Sequence, residues 1–132
     1  MKVVDTTFII GLLRGDPGTI KKAAELDKEG GAATTAVNIF EVSYGVYCSM
    51  SEINRRHEES LRVFSNLDIF PLDFRASIKA AEISGTLDRE GTGIDPFDAL
   101  VAGIAITNGA EAIVTRNVDH FERIQGLKVE KH

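Results

Sequence analysis

The segment Ile94-Asp95-Pro96-Phe97-Asp98-Ala99-Leu100-Val101-Ala102-Gly103-Ile104-Ala105-Ile106 carries no polar side chain after Asp98. A helix without a polar face has nothing to offer water, so the pattern predicts one buried on all sides. The run is too short for a bilayer, which takes about 20 apolar residues. Its start is well marked. Asp95 suits the N-cap, Pro96 the first helical position, and Asp98 falls three residues after the cap. Asn108-Gly109 marks the stop, because glycine tolerates the left-handed backbone that ends helices. Asp98 has two readings. One is a capping-box acid that complements the helix dipole. The other is a metal ligand at the mouth of a buried helix.

Lys2-Val3-Val4-Asp5 predicts a short buried strand, followed by a helix from Phe8 to Leu13 that ends at Gly15. Asp5 then stands at the carboxyl end of a strand, the edge where open α/β sheets bind ligands; a helix N-cap is the alternative. Asp16-Pro17 opens a second helix running to about Glu29, halted by Gly30-Gly31. Ala32 to Thr35 reads as a second strand. Thr35 caps a helix whose Val37, Phe40, Glu41, Tyr44, Gly45 and Cys48 follow the spacing of a buried stripe. Glu41 on such a stripe calls for a metal or a buried arginine, since an unpaired buried charge is costly.

Ser51 to about Leu67 predicts an amphipathic helix, with Ile53, Leu61 and Phe64 inward and Asn54-Arg55-Arg56-His57-Glu58-Glu59 on a solvated face. Asp68 to Leu72 reads as a strand, and Asp73 caps a helix from Phe74 to about Arg89. Ala112 to Thr115 predicts a fourth strand. Arg116 to Phe121 is a loop with room for one helical turn, and Leu127-Lys128-Val129 a final edge strand. Strands alternating with helices, without a hairpin signal, predict an α/β fold with a mostly parallel sheet and helices on both faces.

The 132 residues fit one domain, 1–132, and a chain near ~150 residues buries roughly two-thirds of its unfolded surface. Hydrophobic content of 43% and charged content of 27% are ordinary for a soluble globular protein. The lone Cys48 excludes an internal disulfide framework and favours a reducing cytoplasm. Met1 to Asp5 leads straight into expected core, so neither a signal peptide nor a membrane span is read here. The formal charge of −5 argues against gripping nucleic acid by bulk positive charge, but not against an acidic, metal-filled nuclease pocket.

Asp5 ends a strand, Asp98 opens a helix and Glu41 lies on a helical stripe, while Asn117 and Asp119 follow the end of another strand. A parallel sheet presents all these positions at one edge. Two carboxylates at ~4 Å repel by about 4 kcal/mol at an effective dielectric near 20, so a gathering of them needs a cation. Oxygen-only ligands favour Mg²⁺ or Mn²⁺. His57, His120 and His132 show no zinc spacing and are expected at the surface. No GxxxxGK[ST] or GxGxxG phosphate loop is present, and neither Ser43 nor Cys48 has an obvious neighbouring base.

The pieces Val4-Asp5-Thr6-Thr7, Asn38-Ile39-Phe40-Glu41, Asp95-Pro96-Phe97-Asp98-Ala99-Leu100-Val101-Ala102-Gly103 and Val114-Thr115-Arg116-Asn117, in this order, resemble the PIN-domain ribonucleases. The likeness is nearest to the VapC-type toxins of toxin–antitoxin pairs, and it extends through Phe121-Glu122-Arg123-Ile124-Gln125-Gly126-Leu127. It implies a three-layer α/β/α domain with about five strands, and Mg²⁺-dependent cleavage of RNA by clustered acids. Asp5, Glu41 and Asp98 match family acids; Asp95 matches none and stays a cap. Asn117 stands where some relatives carry aspartate, and Asp119, two residues on, offers the charge instead. Thr7 matches a hydroxyl beside the first aspartate.

On this reading Asp5 and Asp98 hold Mg²⁺ (Mn²⁺ being the alternative), and Glu41 ligates through water or takes a proton. Asp119 adds a fourth carboxylate, and Thr7 and Asn117 support the others. Arg14 and Arg116 contact RNA phosphates or are merely solvated. The resemblance also implies a small antitoxin partner and a homodimer. Phe40, Tyr44 and Tyr47 either line such an interface or, as the plainer expectation, fill core. Two other readings compete. A receiver-like phosphoacceptor domain wants an acid pair after the first strand and a lysine after a late one; here one acid stands at Asp5 and no clear lysine by Thr115. A catalytically silent PIN-like interaction module would bind no Mg²⁺.

Overall fold

The computed structural model describes residues 1–132. Strands β1 (Lys2–Val4), β2 (Ala32–Thr35), β3 (Asp68–Phe70), β4 (Ile113–Thr115) and β5 (Val129–Lys131) form one sheet in the order β3-β2-β1-β4-β5. Every neighbouring pair is parallel. Val3 sits opposite both Ala33 and Ile113, and Val4 opposite Val114. Successive side chains of a strand point to opposite faces. Val3, Ala33 and Ile113 therefore enter one core while Val4, Ala32 and Val114 enter another.

Helices α5 (Phe74–Arg89), α6 (Pro96–Thr107) and α7 (Val118–Glu122) cover the first core with Ala76, Ile83, Leu87, Val101, Ile104 and Phe121. Helices α1 (Thr6–Leu13), α2 (Pro17–Lys28), α3 (Ala36–Cys48) and α4 (Ile53–Ser65) cover the second with Phe8, Ile9, Leu26, Val42 and Phe64. The result is the expected α/β/α sandwich. Its strand order differs from the 2-1-3-4-5 order of receiver-like domains. The chain builds outward from β1 to β2 and β3, then crosses to β4 on the other side of β1. A crevice opens at the carboxyl edge where the winding reverses, here between β1 and β4.

Helix α6 is buried along Ala99, Val101, Ala102, Gly103, Ile104 and Ala105, with Leu100 and Ile106 half-buried against the core. Gly103 lets α5 come close: a Cβ there would stand 2.7 Å from the Ala76 carbonyl oxygen and 2.8 Å from the Ala80 nitrogen. The expected caps are in place. Asp16, Asp73 and Asp95 accept from the amides of Thr19, Ala76 and Phe97 at 2.9, 2.9 and 2.8 Å.

Four expectations need correction. Helix α3 buries Val37, Asn38, Val42 and Val46, whereas Phe40, Tyr44, Gly45 and Cys48 face outward. The helix is apolar on more than one side, so spacing did not choose the inner face. The choice falls to Asn38, whose amide is held by the Thr6 and Thr35 hydroxyls. Phe40 and Tyr44 instead stack on each other in the open, with Phe97 beside Phe40, at ring centroid distances of 5.9 Å. Leu61 of α4 is exposed, its turn facing inward through Ser60 and Phe64. The last strand begins at Val129, because Leu127 and Ile124 are drawn into the core under Gly126, a left-handed turn at φ +82°. None of the three histidines lies free on the surface: each is half-buried. No helix is long and apolar enough to cross a membrane.

Candidate active site

β1 ends at Val4 and α1 begins at Thr6, so Asp5 is the hinge between them and the N-cap of α1. Its side chain is 4% exposed. Oδ1 accepts from the Phe8 amide at 3.2 Å and from the Thr7 hydroxyl at 2.6 Å; Oδ2 accepts from the Thr115 hydroxyl at 2.5 Å. Capping and site formation are thus the same act, since the cap fixes the carboxylate at the β1–β4 crevice. Burial pushes the Asp5 carboxyl above its ordinary range, and the charge of Asp98 adds to this. The Thr115 and Thr7 hydroxyls and the Phe8 amide pull the other way.

Glu41 is half-buried on α3, and its partner is a hydroxyl, not a buried arginine: Thr6 donates to Oε1 at 2.9 Å. Behind it runs a polar brace. The Asn38 amide donates to Thr6 Oγ1 at 3.1 Å, and the Thr35 hydroxyl donates to Asn38 Oδ1 at 2.7 Å. Asn38 is 1% exposed, so its satisfied amide fixes how α3 is rotated. Glu41 is raised by burial first, then by the charges of Asp98, Asp5 and Asp95, against the pull of Thr6. Asp98, in the first turn of α6, is raised by burial and by Asp95, against His120, whose Nδ1 lies 3.0 Å from its Oδ2.

Asp5, Glu41 and Asp98 therefore share one electrostatic neighbourhood, with Asp95 at its rim. They are brought together more loosely than sequence convergence implies, for no three His, Cys, Asp or Glu side chains draw close enough to ring one ion. Mg²⁺ is commonly held by one or two carboxylates and keeps several waters. Carboxylates held above their ordinary range by burial, with Asp98 adding to the shift of Asp5 and Glu41 and no lysine or arginine among the causes, fit such an ion.

The other expected residues are spread more widely. Asp119 and Asn117 are exposed at the start of α7, and the residue of that turn reaching Asp98 is His120. Thr7 bonds Asp5 as expected. Arg116 is exposed but engaged: it pairs with Asp16 at 2.8 Å and reaches Thr19 Oγ1 at 3.3 Å. Arg14 is exposed and, with Glu41, Arg55 and Arg56, lines a groove of about 400 Å³ between α1, α3 and α4. Thr6, Asn38, Thr115, His120 and His132 were not read from the sequence as site partners. Thr6, Asn38 and Thr115 lie inside the quoted motifs, and that position was the available signal. Nothing comparable flags His132.

Comparison with known proteins agrees with this fold. The family model described as the PIN domain matches residues 2–127. A tRNA(fMet)-specific endonuclease VapC of Shigella flexneri is 30% identical over 129 residues, covering 97% of this chain and 95% of that protein. Ribonuclease VapC19 of Mycobacterium tuberculosis is 34% identical over 134 residues, covering 97% and 98%. Among solved structures, DNA-bound VapBC from Salmonella typhimurium superposes with a TM-score of 0.87 at 28% identity, covering 98% of this chain and 96% of the other. VapBC2 from Rickettsia felis, bound to a promoter DNA fragment, gives 0.89 at 23% identity and shares the fold, covering 99% and 98%.

Proposed function

The chain belongs to the PIN-domain family, and from that premise we propose that it is a Mg²⁺-dependent endoribonuclease, the toxin of a toxin–antitoxin pair. One observation carries the metal part of this reading. Burial raises Asp5, Glu41 and Asp98 in one neighbourhood, Asp98 adding to the shift of the other two, and no lysine or arginine pairs with any of them. Asp5 and Asp98 would hold the ion, with Mn²⁺ able to replace it. Bound there, Mg²⁺ supplies Lewis acidity toward a phosphodiester and an activated water. Thr7 and Thr115 fix the Asp5 carboxylate, so its oxygens need no reorganisation when a ligand arrives. Glu41, raised by burial and oriented by the Thr6 hydroxyl, is placed to accept a proton.

The groove that begins at Glu41 supplies the route for substrate. Arg14 and Arg56 on its walls would meet phosphates, which position a strand without reading its sequence. Single-stranded or loop RNA is the substrate class proposed, in keeping with the names of the relatives. A small antitoxin and a second copy of the chain are the proposed partners, the first in keeping with the VapBC complex it resembles. The exposed Phe40, Tyr44 and Tyr47 offer them apolar surface. A cytoplasmic location goes with this assignment.

The decisive assay is cleavage of RNA by purified protein. Asp98→Asn, or chelation of the metal by EDTA, should reduce the rate by about two orders of magnitude or more, with Mg²⁺ or Mn²⁺ restoring the chelated enzyme. Equal rates in wild type and Asp98→Asn would refute the assignment.

A further inference from the structure

His132 follows β5, beyond the reach of any motif, yet it stands next to the first acid of the site. Its Nε2 lies 3.1 Å from Thr7 Oγ1 and its Nδ1 2.9 Å from Thr19 Oγ1. The ring meets buried Phe8 edge-on, with centroids 5.3 Å apart and planes at 78°. Glu130 of β5 is clamped by Lys2 at 3.0 Å and Lys22 at 2.8 Å, which pins the strand leading to it.

Counting protons fixes the direction of each bond. The Thr7 hydroxyl has one hydrogen, and it goes to Asp5 Oδ1, which as a carboxylate oxygen can only accept. One lone pair of Thr7 takes the Arg116 amide at 3.0 Å. His132 Nε2 can then meet Thr7 only as a donor. Burial, and next the Arg116 charge, push His132 down to about 4 despite Asp16, so the ring is neutral at pH 7 and has a single N–H. Nδ1 must therefore accept, and the donor beside it is the Thr19 hydroxyl. Asp16 Oδ2, the rival acceptor for that hydrogen at 2.8 Å, already receives the Thr19 amide at 2.9 Å and Arg116 at 2.8 Å.

We propose that His132 is a positioning residue for Asp5: Arg116, Thr19, His132 and Thr7 form one directed chain of hydrogen bonds that ends on Asp5 Oδ1. Each donor in such a chain polarises the next. Its effect is to commit the Thr7 proton to Asp5 and to hold the carboxylate oriented toward the crevice. Partners behind a metal-holding side chain of this kind typically change metal affinity by about 10–100-fold. The inference rests on the reading of Asp5 as an ion-holding acid.

The test begins with the metal-free protein. Long-range ¹H–¹⁵N spectra of the histidine rings at pH 7 should show His132 as a single tautomer with its proton on Nε2, and Thr7→Val should release it into a mixture. Calorimetry with Mg²⁺ alone should then show His132→Phe, which keeps the ring packing, binding about 10–100-fold more weakly. His132→Gln, which keeps a donor, should recover much of the loss. A proton on Nδ1 in the wild type, or wild-type Mg²⁺ affinity in His132→Phe, would overturn the proposal. The wild-type spectrum decides alone should a variant not fold. Wild-type protein that cuts no RNA, yet shows the expected tautomer and Mg²⁺ response, would sink the ribonuclease reading and support this one.

Discussion

Thr115 reaches the one oxygen of Asp5 that no backbone amide touches. Thr115→Val keeps the shape and removes the donor, leaving a buried charged oxygen short of a partner. The expected cost is about 1–3 kcal/mol at pH 7, read by urea denaturation. It should shrink in an Asp5→Asn background, because the two sites couple through this bond. Asp98 gives the opposite sign. Its folded pKa is raised, so without metal its ionisation opposes folding. That penalty is complete above the folded value and absent below the ordinary carboxyl range. Metal-free Asp98→Asn should therefore unfold at a higher temperature than wild type at pH 7, with the gap closing as pH falls below the ordinary aspartate value. The acids themselves were readable in sequence, because a carboxylate at a strand end or beside an apolar run breaks a pattern. His120 and His132 were not, because what places them is a partner 22 or 125 residues away.

Among elements, the α5–α6 pair depends on the absence of a single side chain. Gly103→Ala would press a methyl against the Ala76 carbonyl and the Ala80 backbone, and should cost about 1–3 kcal/mol through overpacking. Gly85 of α5 has open space where its Cβ would go, so Gly85→Ala should instead stabilise by about 0.5–1 kcal/mol. Measured side by side, the two separate helix propensity from close packing. Caps and breakers made most element boundaries legible: α5 runs from Phe74 to Arg89 as its Asp73 cap suggests. The rotation of α3 was not legible. It carries apolar residues on both candidate faces, and the polar contacts of Asn38 with Thr6 and Thr35, supplied by other elements, turn it. The Val129 start of β5 was hidden for a similar reason, since Leu127 serves the core equally well from a loop.

For the molecule as a whole, metal and stability are linked. An ion that binds only the folded chain adds about 2.7 kcal/mol at 100 times its Kd. Mg²⁺ should therefore raise the thermal midpoint of the wild type, while Asp98→Asn should barely respond. The alternation of strands and helices gave away the parallel sheet, but not the order of its strands, which depends on pairings that no local pattern encodes. That order also governs when the protein can exist in the cell. The central strand is made first, yet Val3 waits for Ile113, and Asp5 for Thr115 a further 110 residues along. A ribosome adding about 5–20 residues per second takes roughly 5–20 s to cover that distance. Throughout that interval the nascent polypeptide holds an unpaired strand edge and an unbraced aspartate, so a polysome translating its message carries no assembled nuclease beside its own RNA.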